Sequence, residues 1–318
     1  MTTDKEHTVA FPAHTQSLCP YCLKKLSATR VEKKAGVFLV KECPEHGPME
    51  TIIWRGEPDM KTWTRGKTPA GPEIHSRAVE KGCPFDCGLC PGHRQRTCTA
   101  LLEITWRCNL HCPVCFADSG DAVPDPGLDR IRAWYEEIRQ CTGGGCNIQL
   151  SGGEPTVRDD LPEIIAMGKE MGFGFIQVNT NGLRLAQEGD FAGRLKQAGL
   201  DSVFLQFDGV DDQVHLALRG RKLQAIKERA IANCRSHNLG VVLVPTLVPG
   251  VNDHQIGDII RFGLENCPQV RGVHFQPVSY FGRYPKPPGD ADRITLPQVI
   301  QGLEDQTGIK AAHFRPPG

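Results

Sequence analysis

From Leu101 onward, six short apolar runs alternate with amphipathic stretches, and this alternation limits the fold more than any other feature. The runs are 101–105, 147–151, 173–179, 202–207, 241–247 and 273–276. Between them, apolar residues recur at three-to-four spacing. Leu128, Ile131, Trp134, Tyr135 and Ile138 mark one helix, and Leu161–Met171 another. Phe191, Leu195 and Ala198 mark a third, Leu223, Ile226, Ala230, Ile231 and Cys234 a fourth, and Ile256, Ile259, Ile260 and Leu264 a fifth. Strand–helix alternation of this kind gives parallel strands joined by crossovers of one hand, either as a doubly wound sheet or as an incomplete barrel. In both, chemistry gathers at the carboxyl ends of the strands. Polar or ligating groups follow every run. The first leads into Cys108-Asn-Leu-His-Cys112-Pro-Val-Cys115, the second into Ser151-Gly-Gly-Glu-Pro155, the third into Asn179-Thr-Asn-Gly182. The fourth ends in Gln206-Phe-Asp208, the fifth contains Pro245 and Thr246, and the sixth ends in Gln276.

The chain has 318 residues, long enough for two domains or one with an appendage, and its 39% hydrophobic content excludes wholesale disorder. Its 37 basic and 37 acidic side chains balance, which gives no support to a nucleic-acid-seeking or membrane-surface protein. No apolar run reaches the length of a membrane span, and Met1–Ala10 lacks the apolar core of a signal peptide, so the expected location is the cytoplasm. In a reducing compartment, 14 cysteines read as metal ligands rather than as a disulfide framework. Ten of them precede position 116, so a metal-rich front section leads into a more ordinary domain.

Three sets stand out. Cys19-x2-Cys22 with Cys43-Pro-Glu-His46 offers three thiolates and an imidazole, a tetrahedral set for Zn2+ or a mononuclear iron with no position left open. Cys83-x3-Cys87-x2-Cys90, with Cys98, suits an auxiliary [4Fe–4S] cluster, either for electron transfer or as a staple; His93 reads as a loop residue. Cys108-x3-Cys112-x2-Cys115 supplies three thiolates where a complete cube needs four, which leaves one iron open. A structural zinc site with a distant fourth ligand and a simple electron-transfer cluster are the alternatives for this last set. The glycine pair Gly152-Gly153, which permits close backbone approach, and Glu154, an acceptor for an ammonium group, favour the open iron.

Together, Cys108-x3-Cys112-x2-Cys115 and Gly152-Gly153-Glu154-Pro155 resemble the radical SAM superfamily. The resemblance covers roughly 99–280 and implies an α/β fold: a partial (β/α)6 TIM-like barrel, preceded here by a small metal-binding ribbon and an auxiliary cluster segment. It implies that Cys108, Cys112 and Cys115 hold a [4Fe–4S] cluster whose open iron binds S-adenosylmethionine (SAM). Reductive cleavage of SAM then gives a 5′-deoxyadenosyl radical, with an external one-electron donor such as ferredoxin or flavodoxin as partner. It places Gly152, Gly153 and Glu154 on the methionyl amine, Asn179, Thr180 and Asn181 on the ribose hydroxyls or carboxylate, and Gln206 and Asp208 on SAM or substrate. Val114 stands where many members have an aromatic residue, and Phe116 is either its substitute for adenine stacking or a packed core residue.

The elements from Cys19 to Ala117 look like the group containing tetraether lipid synthase and dihydropterin methyltransferase. That likeness implies methylation or carbon–carbon bond formation on an unactivated carbon of a small-molecule or lipid substrate. Against that group, the chain ending at Gly318 reads as shortened at its C-terminus. The expected organisation is a ribbon over 1–65, a linker and auxiliary segment over 66–98, the barrel over 99–285 and a tail over 286–318. The rival reading is a non-catalytic zinc or iron–sulfur scaffold, or an electron carrier. Cys141, Cys146 and Cys234 read as structural, Cys267 has no partner by spacing, and Arg219, Arg221 and Lys222 read as a solvated basic face.

Overall fold

The computed structural model describes residues 13–65, 71, 74–75, 78–82, 85–86, 91, 96–120 and 123–316. Cys83, Cys87, Cys90 and His93 lie outside the described residues; Cys98 is described and exposed.

The front section is a four-stranded antiparallel meander of β1 (His14–Leu18), β2 (Lys25–Lys33), β3 (Gly36–Cys43) and β4 (Gly47–Trp54), paired in that order. The apolar stretches 37–40 and 49–54 lie in β3 and β4. The outer pair, β1 and β2, is polar on its exposed side and half-buried, so its apolar signal is weak.

The second section follows the expected alternation. Its elements are β5 (Thr99–Thr105), α1 (Leu128–Thr142), β6 (Asn147–Gly152), α2 (Leu161–Glu170) and β7 (Ile176–Thr180). Then come α3 (Leu183–Gln187), α4 (Phe191–Gln197), β8 (Ser202–Gln206), α5 (Asp212–Arg219), α6 (Gln224–Ser236) and β9 (Gly240–Val244). The section closes with β10 (Thr246–Leu247), α7 (Ile256–Glu265), β11 (Val270–Val273), β12 (Gln276–Pro277) and α8 (Leu296–Thr307).

Six strands form one parallel sheet in the order β5-β6-β7-β8-β9-β11. A doubly wound sheet reverses its order part-way. This order runs straight through, so the partial barrel is the alternative realised. Side chains alternate across each strand. Leu102, Ile104, Ile148, Leu150, Val203 and Leu205 face outward into one core with α1, α2, α4, α6 and α7. Their neighbours Gln149, Ser151, Asn179, Phe204 and Gln206 face the other way, into the barrel. The two-residue pair β10–β12 extends the wall beyond β9 and β11.

The segment 286–318, expected as a tail, carries α8. Its Val299, Ile300 and Leu303 are buried, and Val299 and Leu303 join Leu247, Ile256 and Ile294 in a second cluster. The ribbon meets the same region: the Ile52 amide donates to the Asp290 carboxylate at 3.2 Å, and the Arg55 amide donates to the Thr295 hydroxyl at 3.1 Å. Among the described residues no helix is long and apolar enough to cross a membrane.

Candidate active site and metal centre

Cys108, Cys112 and Cys115 lie on the loop leaving β5 and line one cavity of about 500 Å³. The cavity is ringed by the strand ends: Gly152–Glu154 at the end of β6, Asn179–Asn181 at the end of β7, Gln206 on β8 and Thr246 on β10. All three thiols are free. Burial pushes the Cys108 thiol up to about 11 and raises Cys112 as well, the latter opposed by the Arg219 guanidinium. A buried thiol held up in this way needs a cationic partner to ionise, which an iron cluster supplies. Among the described residues, Cys19, Cys22, Cys43 and His46 are the one set of three or more Cys, His, Asp or Glu donors lying within 4.8 Å of one another. The barrel thiols, three on one loop beside a shared cavity, suit an iron–sulfur cluster with one iron left open.

The glycine pair is required by the chain itself. A Cβ on Gly152, at φ 119°, would sit 2.1 Å from the Thr105 carbonyl oxygen, and one on Gly153 would sit 2.3 Å from that of Arg107. What these glycines let approach is the backbone that leaves β5. Two bonds then fix the root of the cysteine loop: the Gly153 amide donates to the Thr105 carbonyl, and the Glu154 amide to that of Arg107, each at 2.8 Å. The Glu154 side chain, which the sequence offers to an ammonium group, meets four protein donors here. Oε1 accepts from the Thr156 amide (3.1 Å), the Thr156 hydroxyl (2.6 Å) and the Thr180 hydroxyl (2.6 Å); Oε2 accepts from the Asn181 amide (2.6 Å). The carboxylate thus ties β6 to β7. Burial pushes its pKa above the ordinary range, with these donors opposing.

Asn181 reaches across to the cysteine loop, donating to the Asn109 side chain at 2.7 Å. Asn179 donates to Ser151 at 3.1 Å and accepts from Gln149 at 2.6 Å. On the outer side of the loop, the backbone of Cys115 pairs with Arg283, whose guanidinium donates to the Cys112 carbonyl at 3.0 Å.

Asp208 does not line the cavity, contrary to the sequence expectation: it is fully buried, and both its oxygens are taken by the Arg219 fork at 2.6 and 2.8 Å. Burial opposes ionisation of Asp208, but the Arg219 charge and hydrogen bonds hold its carboxyl below the ordinary value. Arg219 is itself a correction. Its side chain is 11% exposed and lines the cavity, while Arg221 and Lys222 are exposed as expected.

Lys227 belongs to no sequence motif and stands out only in the fold. It is fully buried on α6 and donates to the Asn181 carbonyl at 2.6 Å and the Gln206 side chain at 2.9 Å. Its signal was positional: Lys227 falls on the stripe of Leu223, Ala230 and Cys234. Phe116 is no packed core residue. It is 57% exposed at the cavity mouth, edge-on to Phe281 at 5.8 Å. Cys141, Cys146 and Cys234 are buried, and Cys267 is exposed.

In the ribbon, Cys19 and Cys22 precede β2, Cys43 ends β3 and His46 lies in the turn before β4. Sulfur–nitrogen separations are 3.6 Å (Cys19–His46) and 3.5 Å (Cys43–His46), and Cys22–Cys43 is 3.7 Å. A tetrahedral ion with metal–sulfur bonds of about 2.3 Å sets its ligand atoms roughly 3.5–3.8 Å apart. The donor set is thus already at ligating distance. Burial raises the Cys19 thiol, but the Cys22 and Tyr21 backbone amides outweigh it and lower the thiol to about 7. His46 stacks on Tyr21 at 5.1 Å.

The family model for the radical SAM superfamily matches residues 102–263, more than half of the chain. The chain belongs to the radical SAM superfamily. Its members bind a [4Fe–4S] cluster and SAM, and the barrel, the three-cysteine loop and the cavity of this chain accord with that membership. A second model, the HMPTM N-terminal zinc ribbon domain, matches residues 11–55 and contains the Cys3His set. The chain is 43% identical over 296 residues to 7,8-dihydro-6-hydroxymethylpterin dimethyltransferase of Methanocaldococcus jannaschii, covering 92% of this chain and 58% of that protein. It is 30% identical over 183 residues to GTP 3′,8-cyclase of Limosilactobacillus fermentum, covering 56% of this chain and 54% of that one. The chain thus spans a little over half the length of these curated relatives. In fold it is similar to SuiB of Streptococcus suis bound to S-adenosylmethionine, with a TM-score of 0.52 at 16% identity over 66% of this chain and 47% of that chain.

Proposed function

We propose that this radical SAM enzyme methylates a small planar heterocycle of the pterin type. The observation that carries the reading is the cavity of about 500 Å³, with three free thiols on one side and strand-end polar groups on another. The 43% identity to a pterin dimethyltransferase supports the substrate class. Cys108, Cys112 and Cys115 would hold the [4Fe–4S] cluster. With SAM on its open iron, that cluster supplies a carbon radical able to act on an unactivated C–H bond. The chain's own part is to orient and to exclude water. Gly152–Glu154 and Asn179–Asn181 form a cradle whose side chains are fixed by protein partners, so it needs no rearrangement to receive SAM. Phe204, Phe275 and Phe281 give the cavity apolar walls.

In the same reading, Cys83, Cys87, Cys90 and Cys98 hold an auxiliary [4Fe–4S] cluster, and the ribbon set binds Zn2+ as a closed structural site. The working organisation is ribbon, auxiliary segment, barrel and C-terminal docking segment, in a cytoplasmic protein reduced by ferredoxin or flavodoxin.

Anaerobic reconstitution with iron and sulfide, followed by SAM, dithionite and 6-hydroxymethyl-7,8-dihydropterin, tests this. The expected products are 5′-deoxyadenosine and a pterin heavier by one methylene unit per methyl added, both absent with Cys112→Ala. SAM labelled on its methyl group tests the carbon source: label in the pterin makes SAM the donor, whereas label confined to methionine, with methylated pterin formed only when a second one-carbon donor is supplied, makes SAM the radical source alone. Formation of 5′-deoxyadenosine with no pterin product under any condition defeats the substrate assignment.

A further inference from the structure

The cavity has two walls that use their polar groups differently. On the wall built by β6, β7 and β8 the polar side chains are bonded within the protein. Asn179 bonds Ser151 and Gln149, and Asn181 bonds Asn109 and the Leu183 amide. Gln206 bonds Lys227 and Asp208, and Glu154 and Arg219 are engaged as described above. These groups make a stiff cradle with little left to offer.

The opposite wall comes from β11, β12 and the turn after them. There His274, Gln276 and Ser279 line the cavity, and among the described residues none of the three makes a side-chain hydrogen bond. Their backbone is held firmly: the His274 amide donates to the Leu243 carbonyl at 2.8 Å and the Gln276 amide to the Pro245 carbonyl at 2.9 Å. The side chains are thus positioned but unspent. His274 and Ser279 are exposed and Gln276 is half-buried, so water meets these groups in the free protein, and a ligand carrying matching groups can take its place.

We propose that His274, Gln276 and Ser279 form the substrate-selecting wall, which takes a flat heterocycle through adjacent donor and acceptor groups on its edge. This rests on the methyltransferase reading above and names the residues that choose its substrate. A carboxamide presents N–H and C=O side by side, the pattern that pairs with a lactam or amidine edge. The Phe204 ring stands edge-on to His274 at 5.2 Å, and Phe275 and Phe281 add apolar surface for a ring face. The ionised groups of the lining, Glu154 and Arg219, are already held by protein partners, so this wall meets its ligand with neutral hydrogen-bonding groups. Burial lowers the His274 pKa, which leaves a neutral imidazole with one donor and one acceptor.

The full-length, iron-reconstituted protein is titrated with 6-hydroxymethylpterin, read by its fluorescence, and separately with SAM by equilibrium dialysis. The variants are Gln276→Leu, Gln276→Glu and His274→Phe, each checked for folding by thermal unfolding. The expected result is a fall in pterin affinity of about tenfold or more for Gln276→Leu relative to any fall in SAM affinity, the scale for one lost hydrogen-bonding group at a desolvated edge. Gln276→Glu keeps the shape, loses the paired donor, and is expected to weaken pterin binding as well. Pterin affinities within twofold of the parent for both Gln276→Leu and His274→Phe overturn the proposal. Guanosine, a neutral lactam-bearing probe of another ring class, separates the two readings. If guanosine binds in a Gln276-dependent manner and the pterin does not, the wall stands and the pterin assignment falls; if neither binds, the wall is overturned even where SAM is still cleaved.

Discussion

Lys227 has no solvent contact, and its ammonium group supports the Asn181 carbonyl and the Gln206 side chain. Burial pushes its pKa down to about 7, against roughly 10.4 for a free lysine. Between those values the unfolded chain binds a proton that the folded chain has released, so this residue makes stability rise with pH from about 7 upward. Below pH 7 both states are charged and the cost of burying the ammonium is felt in full. Lys227→Met removes that slope and leaves two buried acceptors unpaired. The expected loss is about 1–3 kcal/mol at pH 9 and smaller at pH 6, read by urea unfolding at both pH values. A loss independent of pH would show that Lys227 is not the titrating group. Arg219 and Arg221 give a second comparison. Arg219→Met strands the buried Asp208 carboxylate and is expected to cost about 3–5 kcal/mol, whereas Arg221→Met, at an exposed position, should stay within about 0.5 kcal/mol.

At the scale of elements, the junction of β5 and β6 decides whether the cysteine loop is presented correctly. Gly153→Ala would drive a methyl group against the Trp106 and Arg107 carbonyls. The expected outcome is a destabilisation above about 1 kcal/mol and reduced iron loading after reconstitution, checked by iron per chain. Gly145→Ala, whose Cβ would meet no atom closer than 3.6 Å, serves as the matched control. The same junction explains what the sequence could reveal. The barrel strands were legible because their outward faces are uniformly apolar, and the strand-end motifs because they punctuate those runs. Three helices were not. α3 has five residues, too few for a periodicity. α5 is short and carries His215 among its buried residues, which breaks the apolar stripe. α8 follows a proline- and glycine-rich stretch and shows its apolar face only when docked beside Leu247 and Ile256. The sixth strand begins three residues earlier than the apolar run suggests, at Val270, because Arg271 and a register shift at Gly272 interrupt it. In the site, the cysteines could be read directly, but the Asp208–Arg219 fork joins residues eleven apart on different elements, and only the fold brings them together.

At the scale of the whole molecule, the ribbon and the barrel are joined through the last sixth of the chain: β4 bonds to Asp290 and Thr295, and the stretch just before them, through Arg283, grips the cysteine loop. Loss of the ribbon metal should therefore be felt as stability. Cys43→Ser is expected to abolish one bound metal per chain by elemental analysis and to lower the melting temperature by several degrees, the size expected for a few kcal/mol in a chain of this length. Iron in the barrel cluster should persist; its loss together with the ribbon metal would mean that the two centres assemble as one. The parallel sheet, finally, ends at β5 on one side and β11 on the other, and no ladder among the described residues joins them. A staved vessel with one seam unsewn can gape and narrow by twisting alone, without giving up any bond between its staves, while its rim stays braced where Cys115 pairs with Arg283.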